Sequence, residues 1–401
     1  MAGNHSRPAR ILGPIGLLLI VVLGTWLFAT AMGQVLHPDP QAIPSTTQSH
    51  PGASWSEAVD RTRSHIRASL AEQNLPGLSV AVGTGGTILW SEGFGWADLE
   101  TRTPVTPATR FRIGTASTVL TAAAAGRLLE QERLALDHEI QSYVPKYPKK
   151  QWPVTLRHLL ANSAGLDTDS GEQDPLHRQR CAQPLEALPS FAQSALLFQP
   201  GTQRRSSSYG WILVSAAVES AAKQPFLQYI GEQVFQPLKM TNTGAESATG
   251  ENPEGIGEPG EDAPFMTLFR NLILQPLGIA SPRVQRPEDP ATVYTPGFRY
   301  SPAARHGLHV VPPRNLSCFA GAMAFYSTPS DLVRLGMAIN GGALLQPASG
   351  YDGEFMGRRV VSLRVLRDKG LIVAVTSNGS SVDTSALAAK VAETFAQSIK
   401  P

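Results

Sequence analysis

Two pairs of strand-like segments lie near opposite ends of this 401-residue chain, and their placement restricts the fold more than any other feature. Near the amino end, residues 78–82 and 87–93 flank the turn Gly83-Thr84-Gly85-Gly86; near the carboxyl end, residues 360–366 and 371–377 flank Arg367-Asp368-Lys369-Gly370. Apolar, β-branched runs bounded by such turn residues read as hairpins. Between them the spacing turns helical. Residues 117–132 (STVLTAAAAGRLLEQE) are rich in Ala and Leu, which are strong helix formers. Residues 137–143 and 156–160 read as short helices among Pro-containing loops, and 209–222 as an apolar helix. Helices over 55–73, ending before Pro76, and 384–399 bracket the whole. The two hairpins must meet in one antiparallel sheet, with the middle of the chain forming a helical lobe. This is an α+β domain of high contact order.

Ahead of this domain, Arg7 and Arg10 precede an uncharged stretch over 11–36, dense in Leu, Ile and Val between Leu17 and Leu27. About 20 apolar residues suffice to cross a bilayer. Positive charge on the leading side alone predicts residues 1–10 as a cytoplasmic tail and the bulk of the chain outside. Residues 11–35 then form a transmembrane anchor. The small residues Ala29-Thr30-Ala31 leave a cleaved signal peptide as the alternative, although the apolar run is long for one. The expected location is the inner membrane, crossed once, with the carboxyl-terminal domain on the periplasmic side. Residues 36–54, rich in Pro, Ser, Thr, Gln and His, read as a tether, leaving 55–401 as the domain.

A formal net charge of +2 offers nothing to a polyanion. The pairs Arg204-Arg205, Arg358-Arg359 and Lys149-Lys150 lack interleaved aromatics, so no nucleic-acid partner is expected. Two cysteines, Cys181 and Cys318, are too few for a cysteine-based zinc site or a disulfide-dense scaffold. Outside the cytoplasm they permit one long-range disulfide, and two buried thiols are the other reading. His306 and His309 have the spacing of a helical metal pair but neither a helical pattern nor a carboxylate beside them, so no metal and no cofactor is expected. Residues 226–240 echo residues 265–279, either as a small duplication or as two similar amphipathic helices.

Several blocks occur in a set order: 77–118 (GLSVAVGTGGTILWSEGFGWADLETRTPVTPATRFRIGTAST), 127–148, HLLANSAGL at 158–166, FQPLKMTNTG at 235–244, STPSDLVRLGMAI at 327–339, and the hairpin over 361–378. In kind and order they resemble the serine β-lactamase and penicillin-binding-protein family, particularly its β-lactamase-related esterase and peptidase branch. The resemblance spans about residue 55 to the end and implies that family's fold. It also implies a Ser-x-x-Lys at the head of the central helix, a Tyr-x-Asn on the lobe, and a Lys- or His-x-Gly on a sheet strand.

None of the three motifs is intact. The alignment puts Thr115 at the nucleophile and Thr118 at the lysine. A hydroxyl attacks at neutral pH only when a neighbouring group takes its proton, and threonine hydrolases use a free terminal amine that an internal Thr115 lacks. Helix capping is the simpler reading of Thr115 and Ser117. Ser206 stands for the tyrosine and Ser208 for the asparagine, with Tyr209 following as a packing residue. Tyr351-Asp352-Gly353 keeps only the glycine of the third motif; Tyr351, Asp352, Arg358 and Arg359 read as surface loop residues or as a remodelled pocket wall. His158 serves packing or hydrogen bonding.

No catalytic residue is therefore assigned. Thr115, Thr118, Ser206, Ser208 and Tyr351 are degenerate pocket positions. The expected function is binding or assembly at the cell envelope, with a peptidoglycan fragment, a peptide, an ester or an envelope protein as partner. The alternative is an active hydrolase of esterase, peptidase or β-lactamase type that uses Thr115, or Ser117 in a shifted geometry.

Overall fold

The computed structural model describes residues 21–23, 34–49, 51–245, 290–296, 306–311, 315–342, 350–355, 358–380 and 382–399. In chain order the regular elements are β1 (Ser45–Ser49), α1 (Ser56–Glu72), β2 (Gly77–Thr84), β3 (Thr87–Asp98), β4 (Thr103–Pro104), β5 (Phe111–Arg112), α2 (Ser117–Glu130), α3 (Leu156–Leu160), α4 (Ser208–Ala222), α5 (Phe226–Ile230), β6 (Gly244–Ala245), β7 (Tyr294–Pro296), β8 (Leu308–Val310), β9 (Phe325–Ser327), α6 (Pro329–Asn340), β10 (Gly350–Phe355), β11 (Arg358–Leu366), β12 (Leu371–Ser377) and α7 (Thr384–Gln397).

The two terminal hairpins meet as expected. The main sheet runs β1-β3-β2-β12-β11-β10, with β4 also on β3, and every pairing is antiparallel. β2 is central and buried almost throughout, and its alternation divides two cores. Leu78, Val80 and Val82 face α1 and α7, where they join Ile66, Leu70, Val373, Val375 and Phe395; Ala81 faces the lobe with Ile372 and Ala374. On the first face Trp90 stacks on Phe395 at 5.7 Å, and Phe395 on Trp55 at 5.8 Å. The helical lobe is built around α2 and α4, whose Leu120, Ala124, Leu213 and Val214 are fully buried.

Some expectations change. Residues 137–143 hold only the short 3₁₀ turn Ile140–Ser142. The second copy of the internal echo, 265–279, lies outside the described residues, as does nearly all of the expected anchor. Among the described residues no helix is long and apolar enough to cross a membrane. The cysteines settle on a disulfide, Cys181–Cys318, with Cα atoms 4.8 Å apart.

The tether expected over 36–54 is instead largely part of the fold. β1 forms the outer strand on β3, pairing Ser45 with Phe94 and Thr47 with Glu92. An uncovered sheet edge carries a row of unused N–H and C=O groups, and a Ser/Thr strand satisfies them without needing an apolar face. Ile43 is buried, Arg67 donates to the Gln41 carbonyl at 2.6 Å, and Arg63 bonds buried Glu92 at 2.8 Å. His37 is buried, with Nε2 at 2.8 Å from the Leu75 carbonyl.

Burial holds the His37 imidazole below its ordinary value of 6.5, and the nearby His306 adds to that effect. The folded state therefore prefers neutral His37. Its stability is complete above the unfolded value and is lost as the pH falls through that value and on through the lower folded one. Hydrogen-exchange protection over residues 36–49 is expected to fall between pH 7 and pH 5, relative to β2. His37→Gln, which keeps an N–H for the Leu75 carbonyl and does not titrate, should flatten that dependence.

Candidate active site

β5 pairs with β9, and the Ile113 N–H donates to the Phe325 carbonyl at 3.1 Å. This pins the 3₁₀ turn Gly114–Ala116, whose Gly114 has a φ of +51° and which winds directly into α2. Thr115 sits in that turn, half-buried. The capping roles expected for Thr115 and Ser117 are not found. Residue 116, an alanine, occupies the cap position, and the Ser117 N–H donates to the turn's own Gly114 and Thr115 carbonyls. Ser117 Oγ is fully buried and accepts from Phe325 N–H at 3.2 Å, which leaves it no access to an attacking role. Thr118 Oγ1 donates to the Thr115 carbonyl at 2.8 Å.

β10 lies against this turn. A Cβ on Gly353 would come within 2.3 Å of the Ile113 carbonyl oxygen and 2.7 Å of Ala116 Cβ, so only glycine permits the approach. That approach brings the next N–H, of Glu354, to 2.9 Å from Thr115 Oγ1. It is the hydrogen bond found at the Thr115 hydroxyl among the described residues. Tyr351 enters only through its register, opposite Leu363 on β11. Asp352 is not a loop residue. It lies on β10 and accepts from Ser362 Oγ at 2.6 Å, with Arg364 at 3.3 Å. Arg358 and Arg359 likewise begin β11 rather than a loop, and exposed Arg359 lies 3.8 Å from Asp383.

The second motif forms a separate cluster at the head of α4. Ser206 is exposed. Ser207, not singled out by the sequence, caps the helix by accepting from Gly210 N–H at 3.0 Å, and donates to the Asp167 carbonyl. Ser208 Oγ donates to Asp169 Oδ2 at 2.5 Å, and its N–H donates to Thr168 Oγ1 at 3.2 Å. Tyr209 stacks on Phe191 at 4.5 Å and donates to buried Asp174; burial, then that carboxylate, pushes its phenol well above the ordinary range. Tyr209 thus packs, as expected, and cannot supply a phenolate. Asp167, Thr168, Asp169 and Asp174 were missed by sequence reasoning. The signal was the polar run directly after HLLANSAGL, before the first of the two cysteines.

The structure joins Thr118 to Thr115 and Thr115 to β10, and Ser208 to Thr168 and Asp169. Among the described residues no hydrogen bond joins the two clusters. His158 is accounted for structurally: it completes a capping box with Thr155 at the head of α3. No group of three or more His, Cys, Asp or Glu side chains able to hold a metal is found among the described residues. Chemically, Thr115 offers a hydroxyl that already accepts an N–H, and among the described residues no hydrogen bond takes up its own proton. Attack on a carbonyl requires such an acceptor.

A β-lactamase family model matches residues 62–352, from α1 through the start of β10. The chain belongs to the β-lactamase family. Its similarity to curated relatives is partial. The mitochondrial serine β-lactamase-like protein LACTB of Mus musculus is 28% identical across 51% of this chain and 53% of that relative. Protein flp of Staphylococcus aureus strain N315 is 23% identical across 44% of this chain and 36% of that protein. This β-lactamase-family chain therefore spans about half, or less, of the length of these relatives. Solved structures match more fully. FmtA from Staphylococcus aureus has a TM-score of 0.65 at 16% identity, covering 89% of this chain and 94% of that one. A class C β-lactamase has a TM-score of 0.63 at 15% identity, covering 86% and 98%. These likenesses establish the β-lactamase-like α+β fold.

Proposed function

We propose that this β-lactamase-family chain is a catalytically degenerate, membrane-anchored protein acting in binding or assembly at the cell envelope. The observation that carries the reading is the Thr115 hydroxyl. It accepts the Glu354 N–H, a donor that an acyl oxyanion would need, and among the described residues no hydrogen bond from it reaches a proton acceptor. Thr118 cannot serve as a base, Ser208 is held by Asp169 instead of standing free for a substrate, and Ser206 faces solvent. Residues that work as a unit leave little activity when several are lost together. The ligand would be a peptidoglycan fragment, a peptide or an ester, or the partner an envelope protein. The disulfide supports a compartment outside the cytoplasm.

One observation favours the second reading, a hydrolase using Thr115. The Glu354 N–H lies beside the Thr115 hydroxyl, and a rotation of the Thr115 side chain would free it to donate to an oxyanion. The similar structure of EstCE1 is described as a hydrolase with promiscuous acyltransferase activity. The two readings separate by covalent labelling. The purified chain, incubated with a fluorophosphonate and with a penicillin, is expected to show no mass increase. An adduct on the peptide containing Thr115, lost in Thr115→Ala, would establish the hydrolase instead.

A further inference from the structure

The amino-terminal segment docks on the domain from residue 34, at the end of the uncharged stretch. The Leu36 N–H donates to Asn74 Oδ1 at 2.9 Å, Asn74 Nδ2 donates to the His306 carbonyl at 2.6 Å, and His306 Nδ1 lies 3.0 Å from the Gln34 carbonyl. Asn74 can sit at this corner because it adopts a φ of +52°, a region that asparagine tolerates better than most residues. The Leu36 side chain packs into a small core with Trp96, Leu99, Tyr294, Leu308 and Val310. Arg102 lies over the Trp96 ring, 5.6 Å from its centre. Four of the five large apolar side chains found exposed among the described residues, Val21, Val22, Leu23 and Val35, lie in the run itself.

We infer that the domain is seated directly on the lipid surface, with the corner at Asn74, the turn after β3 (residues 99–102) and the start of β8 at the headgroup level. The inference rests on the anchor reading of residues 11–35. On that reading, a membrane helix of about 20 residues beginning at Ile11 would leave the hydrocarbon near Thr30. The four residues from there to Gln34 reach about 14 Å at full extension. The headgroup layer is itself about 5–8 Å deep. A free tether over 37–54 would instead reach on the order of 60 Å and leave the orientation open. The half-buried Trp96 and the Arg102 above it are the side chains that suit this depth, since aromatic rings and long cationic stems gather at the interface.

The test uses the full chain in liposomes carrying headgroup-nitroxide lipid, with a fluorophore on Thr101→Cys or, in the helical lobe, on Lys149→Cys. Both positions are exposed. Quenching at residue 101 is expected to exceed that at 149 several-fold. Inserting twelve Gly/Ser residues between Met32 and Gly33 should reduce it to the level at 149. Equal quenching at the two sites in the unaltered chain overturns the inference, as does quenching at 101 that survives the insertion. A chain that fails to float with the vesicles at all overturns the anchor, and the seating with it.

Discussion

Cys181→Ser combined with Cys318→Ser is expected to lower the stability of the fold by about 2–5 kcal/mol. The two cysteines are 137 residues apart, so the bond removes much of the freedom of the unfolded chain, and that loss grows with loop length. It also closes one wall of the lobe. The Cys181 N–H donates to Ser317 Oγ at 3.0 Å, and the rings of His177 and Phe319 lie 4.7 Å apart beside it. The same wall presents Asp174 to Tyr209, so its loosening reaches the first turn of α4. Urea unfolding of the double variant, and of the native chain with and without reductant, measures the effect. A change below about 0.5 kcal/mol, the range of ordinary surface substitutions, would show that the cross-link does not hold the lobe.

Gly353→Ala carries the second large effect, expected at about 1–3 kcal/mol. The added Cβ would meet the Ile113 carbonyl oxygen at 2.3 Å, Val361 Cγ1 at 2.4 Å and Ala116 Cβ at 2.7 Å. None of these is the far end of a flexible side chain, so β10 must move away from the Thr115 turn. The Glu354 N–H then leaves Thr115 Oγ1 and should lose its protection from hydrogen exchange. Gly52→Ala is the control. Its Cβ meets nothing within 4 Å and its φ is −58°, so its melting temperature should match that of the native chain. A fully protected Glu354 amide in Gly353→Ala would refute the proposed packing of strand on turn.

The elements legible in the sequence are those whose signal is local. The hairpins, the alanine-rich helix and the helix over 208–222 declare themselves by periodicity and turn residues within a dozen positions, and their bounds shift by only a few residues. The glycine of the third motif was also legible, and Gly353 does face the Thr115 turn. The tether was misread because its Pro, Ser and Thr content describes a segment with no core of its own. Composition says nothing of a sheet edge waiting elsewhere in the chain. Ser207 illustrates the same limit at the site. Three consecutive serines look alike in sequence, yet one caps α4, one bonds Asp169 and one faces solvent.

The chain by itself determined the family, the α+β order of elements and the identity of the residues standing at Thr115, Thr118, Ser206, Ser208 and Tyr351. Those are matters of residue type and short-range pattern. Tertiary structure alone decided what these side chains bond to: Glu354 with Thr115 across 239 residues, Asp169 with Ser208 across 39, and the seating of residues 34–49 on the body of the domain. A hydrogen bond depends on two groups meeting within about 3 Å, and separations of that kind are set by the packing of sheet against lobe.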